Sequence, residues 1–208
     1  MHDKKLMGKQ EISVVFAIDI SGSMCVTKEI RGKHSIKADK SKAAFADLMK
    51  FSDGSDQKMT GESGNITYIS RLQCVQAAIE SQIQDMKKGA PDRKLGIVTF
   101  NHEVTVIGDG TKDPHVVTGD KLLNYDFLLE NGAKVSQSHL QKPIKETSSI
   151  LAERVMNLEE TGPTALGPAL ATAIALAGEG APGSAVVLCT DGLSNVGLGA
   201  FDEIRTKE

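Results

Sequence analysis

Apolar residues along the chain gather into short unbroken runs and longer periodic stretches, and the two patterns predict different elements. Val14 to Ile18, within ISVVFAI, is β-branched and aromatic without a charge, as required of a parallel strand covered on both faces. Lys94 to Phe100 (KLGIVTF) reads as a second such strand. Asn101 and His102 then reverse the chain into Glu103 to Ile107 (EVTVI), an expected antiparallel edge strand hairpinned to its predecessor. A last apolar run, Ala185 to Thr190 (AVVLCT), ends at Asp191-Gly192.

Between the strands the period changes. Leu72, Val75, Ile79, Ile83 and Met86 recur at three- and four-residue spacing, which predicts a helix opened by Ser70 and stopped at Gly89 and Pro91. Lys87 and Lys88 fall in its last turn, where cations complement the helix dipole. Ile150, Leu151, Val155 and Leu158 share a face of a second helix over 147–160. A third, Ala-rich helix follows Pro168 and ends near Ala177 and Gly178, with Gly167, Ala169 and Ala173 small enough for close approach to its neighbours.

Two polar stretches interrupt this alternation. Residues 25–69 and 108–146 are expected as insertions, with a short helix over 39–51 in the first. The second is expected to hold a short helix around 121–130, of which Asp126 to Glu130 is alternatively a strand. The whole of 1–208 then forms one domain.

Charge adds an exclusion. With 24 basic against 27 acidic residues and a net charge of −3, nothing points to nucleic acid or an anionic membrane. The opening MHDKKLMGKQ lacks the apolar core of a signal peptide, and no run reaches the ~18 residues of a membrane span, so a cytoplasmic location is expected. Cys25, Cys74 and Cys189 are odd in number and widely spaced, which fits reduced thiols.

The chemistry sits at strand ends. Asp19, Ser21 and Ser23 follow the first strand on one tight loop, at the end of a sheet strand where open α/β folds bind ligands. A carboxylate with two hydroxyls suits a hard cation such as Mg²⁺. Asp191 repeats the logic at the end of the last strand, and doubly wound topology can bring it beside Asp19. Each alone is equally an ordinary turn or cap residue, as is Thr164 at the head of the Ala-rich helix. Their joint placement is what makes a site.

Asp19-Ile20-Ser21-Gly22-Ser23, Gly162-Pro163-Thr164 and Thr190-Asp191-Gly192, in this order, resemble the three segments of the von Willebrand factor A (vWA) domain that form its metal-ion-dependent adhesion site. The resemblance implies a Rossmann-like, doubly wound, mostly parallel α/β sheet in the order 3-2-1-4, with further strands beyond Asp191. The chain would then be the N-terminal part of a longer domain, leaving the apolar border at Ala185 to Thr190 without its neighbour. It also implies one Mg²⁺ or Mn²⁺ held by Asp19, Ser21, Ser23, Thr164 and Asp191, with a coordination position open to an Asp or Glu of a protein partner. The expected function is a metal-dependent interaction module rather than an enzyme. The alternative is a Mg²⁺-dependent hydrolase or phosphoryl-transfer enzyme. Against it, the chain has no G-x-x-x-x-G-K-[ST] loop and no G-x-S-x-G elbow, and Ser21 stands where a haloacid-dehalogenase-like phosphatase carries its second carboxylate.

Overall fold

The computed structural model describes residues 11–32 and 58–201. The helix expected over 39–51 lies outside them. Strand β1 (Ser13–Asp19) forms the middle of the molecule, flanked in parallel by β5 (Lys94–Phe100) and β8 (Ala185–Cys189). β6 (Val104–Gly108) pairs antiparallel with β5, and β7 (His115–Val117) pairs antiparallel with β6. The sheet therefore runs β7-β6-β5-β1-β8. It contains the expected 3-2-1-4 order with one strand added.

Two expectations are corrected here. Parallel and antiparallel pairings are equal in number, so the sheet is mixed rather than mostly parallel. The edge is β7 and not β6, because HVV, only three residues long, was too short to stand out within the polar stretch. β8 does lie at the other border among the described strands, with Val187 and Leu188 about 40% exposed.

Alternation along the strands explains the layers. Val15 and Ala17 of β1 face one way with Val98 and Phe100 of β5, and Phe16 and Ile18 face the other with Leu95 and Ile97. The first face is covered by α2 (Tyr125–His139) and α4 (Leu166–Gly178), the second by α1 (Arg71–Gly89) and α3 (Ile144–Met156). This α/β/α sandwich gives β1 a core on each side, which is why its apolar run is continuous.

α1 begins as its sequence requires. Ser70 accepts from the Gln73 amide at 3.1 Å while its own amide donates to the Gln73 side chain at 2.8 Å, a reciprocal cap that satisfies two otherwise orphaned donors. Leu72, Ile79 and Ile83 are buried beneath it. α2 is longer than the short helix expected around 121–130, and Asp126 to Glu130 are helical, not a strand. The Asn131-Gly132 pair in its middle masks the helix in the sequence but serves packing: a Cβ at Gly132 would sit 2.7 Å from Ala175 Cβ, so only glycine allows α2 to approach α4 this closely. α3 starts at Ile144, one turn earlier than the periodicity indicated.

The stretch 25–69 is not structureless where it is described. β2 (Thr27–Arg31), β3 (Gly61–Ser63) and β4 (Ile66–Ser70) form a separate antiparallel sheet in the order β2-β4-β3. β4 runs directly into the Ser70 cap of α1, so this small sheet is anchored to the main body at the helix start. None of the helices among the described residues is long and apolar enough to cross a membrane.

Candidate functional site

β1 and β8 run side by side and end together, which places Asp19 beside the Thr190-Asp191 turn. Asp19 is fully buried, and both its oxygens are held: Oδ1 accepts from the Ser21 amide at 2.8 Å and Oδ2 from the Thr190 hydroxyl at 2.6 Å. After Ser21 the chain enters a 3-10 turn over Gly22–Cys25, which folds Ser23 back toward Ser21. The two hydroxyls lie 3.2 Å apart, and Ser23 Oγ donates to Asp191 Oδ1 at 2.8 Å. Four of the expected residues are thus brought into one hydrogen-bonded network.

Thr164 arrives on the loop before α4. Two backbone hydrogen bonds tie that loop to the end of β1, Gly22 N to Gly162 O and Thr161 N to Ile20 O, both at 2.8 Å. Gly162 is in the left-handed region with φ 73°, and an added Cβ would stand 3.1 Å from His102 Nδ1. Asn195 fixes the next step: its Oδ1 accepts from the Thr164 amide at 2.6 Å, and its amide donates to Thr164 O at 3.0 Å. Thr164 is buried, it does not cap α4, whose cap position is Ala165, and its hydroxyl meets no acceptor or donor among the described residues. The loop carrying Thr164 is docked on the loop carrying Ser21 and Ser23.

Arg71 was not anticipated from the sequence. It is the first residue of α1, and its Nη1 pairs with Asp191 Oδ2 and approaches the Ser23 carbonyl at 3.5 Å. Their separation of 120 residues hides the pair from any local pattern. Beneath this rim, Ser70 donates to the buried Glu160 at 3.2 Å, and burial pushes the Glu160 carboxyl above its ordinary range. Burial, reinforced by the Glu160 charge, pushes the Cys25 thiol up to about 11.

Among the described residues no three His, Cys, Asp or Glu side chains cluster as metal ligands. The candidate set has another composition, with two carboxylates and three hydroxyls, all of them hard oxygen donors of the kind Mg²⁺ takes. Thr164 leaves its hydroxyl unspent, the Ser21 and Ser23 hydroxyls meet each other, and Asp191 is shared between Ser23 and Arg71. The donor chemistry fits a divalent ion. A cavity of about 620 Å³ lies toward the other end of β8, lined by Ile174, Gly180, Pro182, Ser184 and Val186, and includes none of these oxygens.

Comparison with known proteins gives one sequence relative at good coverage. The chain is similar to part of a circularly permutated Ras protein. That protein, circularly permutated Ras protein 1 of Dictyostelium discoideum, is 33% identical over 198 residues, which is 94% of this chain and 22% of the relative. The chain thus spans about a fifth of the relative's length. No family model matches. Among solved structures, a PilB minor pilin from Streptococcus sanguinis aligns with 90% of this chain and 31% of its own at 18% identity and a TM-score of 0.42. An aspartate-to-alanine mutant of the same pilin aligns with 91% and 32% at 19% identity and a TM-score of 0.47. The Ras name overturns one expectation. A chain matched along nearly its whole length to a protein so named is at odds with the non-enzyme reading, which is withdrawn.

Proposed function

We propose that the chain is a vWA-type module that holds Mg²⁺ through Asp19, Ser21, Ser23, Thr164 and Asp191 and captures an acidic side chain of a partner protein. In this reading it works inside a longer, GTPase-like protein, as the relative's name suggests. The carrying observation is the network itself: hydroxyls and carboxylates from two strand ends, converging at 2.8 to 3.2 Å, with the Thr164 loop docked on it.

The bound ion would supply a positive centre with a position open to one further anion. The chain's own residues do the rest. Two carboxylates offset a double charge without exceeding it, and the hydroxyls add donors without charge, so attraction for an incoming carboxylate survives. Thr190 and the Ser21 amide fix the Asp19 oxygens, and Asn195 fixes the backbone that presents Thr164. Partner choice would fall to the surfaces beside the site, since an ion recognises any carboxylate. The β2-β4-β3 sheet, which lies between Ser23 and Arg71 in the sequence, would be one such surface.

The relative's name also supports a second reading, in which the same ion serves a nucleotide and phosphoryl transfer. Water-proton relaxation with Mn²⁺ tests the first reading. Thr164→Ala and Asp19→Ala should each weaken Mn²⁺ at least tenfold, Thr164→Ala with little loss of stability because its hydroxyl holds nothing else. Undiminished binding in both would remove the assignment. Mn²⁺-dependent binding of a fluorescent GTP analogue by the 208-residue chain would favour the second reading over the first.

A further inference from the structure

Arg71 is held rigidly at its base and left open at its tip. Its amide donates to Val26 O at 3.0 Å, the preceding Ser70 is fully buried in its reciprocal cap, and the side chain remains 35% exposed while that of Asp191 is only 10% exposed. Among the described residues Nη1 alone is engaged, on Asp191 and on the Ser23 carbonyl. The Nε–Nη2 edge, the edge of a guanidinium that takes a carboxylate side-on through two parallel N–H donors, has no acceptor among the described residues. Through Nη1 the guanidinium reaches the backbone of Ser23, the exposed member of the donor set.

We propose that Arg71 is the second reader of the ligand: an incoming protein carboxylate is held at once by the ion and by guanidinium N–H groups that Asp191 leaves unengaged. This deepens the proposed function and rests on it. The pairing with Asp191 suits the role, because it aims the fork without saturating it and keeps a positive charge at the rim where a partner's acidic side chain must enter. An ion alone accepts a carboxylate from any direction, whereas a planar fork accepts one orientation, so Arg71 converts a charge preference into a geometric one.

The test is an acetate titration of the Mn²⁺-loaded 208-residue chain, read by the fall in water-proton relaxation as acetate replaces water on the ion. Arg71→Gln should bind Mn²⁺ at least as tightly as wild type, since a positive charge has been removed, while its acetate affinity falls about fivefold or more. Arg71→Lys, which keeps the charge without the fork, should recover only part of that loss. Equal acetate midpoints in wild type and Arg71→Gln would overturn the proposal and leave the metal reading standing. Loss of Mn²⁺ in both Arg71 variants would also overturn it, assigning Arg71 to the orientation of Asp191 alone. No Mn²⁺ binding by wild type would remove the metal reading and this one with it. Inorganic phosphate that outcompetes acetate through Arg71 would overturn the carboxylate assignment in favour of a phosphate ligand.

Discussion

The bond from Thr190 to Asp19 is the most direct measure of how the site is tied to the fold. Thr190→Val keeps the shape of the side chain and removes the one hydroxyl that donates to Asp19 Oδ2 at 2.6 Å. Asp19 is fully buried, so no water replaces that donor, and a hydrogen bond to a charged group of this kind contributes about 1.5–3 kcal/mol. The added methyl returns part of this, about 0.8 kcal/mol if fully buried and about half of that at the half-buried Thr190. The net loss is then about 1–2.5 kcal/mol, or a fall in Tm of roughly 2–10 °C for a domain of this size. Urea unfolding followed by circular dichroism, with m unchanged, measures it. Thr190→Ser keeps the donor and should recover most of the loss. A Thr190→Val chain within about 0.5 kcal/mol of wild type would show that the Asp19 carboxylate is not held by this bond.

Gly162→Ala puts a Cβ at φ 73° and 3.1 Å from His102 Nδ1, so it should cost about 1–2 kcal/mol in urea and weaken Mn²⁺ as the Thr164 loop shifts. Glu160→Gln should stabilise the chain at neutral pH: a carboxyl raised by burial favours the protonated folded state, so its contribution is complete below the ordinary 4.5 and is lost as pH rises through the folded value. Urea midpoints of wild type and Glu160→Gln should converge as pH falls to 4.5 and below, and parallel curves would count against burial as the cause. Exposed Cys74 should take a thiol reagent in the native state while Cys25, buried and pushed up to about 11, waits for unfolding, which mass spectrometry of labelled peptides reads directly.

The central strands and α1 were legible because each obeys one period without interruption. Val15 to Ile18 is buried on both faces, Lys94 to Phe100 matches its observed bounds, and Ser70 caps the helix it was expected to open. What escaped was held by partners far off in sequence. α2 carries Asn131-Gly132 at its middle because α4 presses against it, and no local propensity reports a neighbour more than forty residues away. β2, β3 and β4 are only three to five residues long, too short to show a period, and pair with each other. The site divides the same way. Its oxygen side chains stand out as motifs at strand ends, whereas Arg71 reads as an ordinary helix residue until Asp191 is brought across to it.

β8 enters the sheet last in sequence and joins β1, the first strand, so the bond from Thr190 to Asp19 closes across 171 residues. Nothing short-range can form this site. It exists only once β8 has joined β1, and it is therefore a signature of completed folding, missing from any state in which β8 is detached. A ligand bound there would act as a lock on that last join: at a hundred times its Kd it would add about 2.7 kcal/mol against the loss of β8. β8, the border strand among the described residues, is thus the place where binding and folding become one equilibrium.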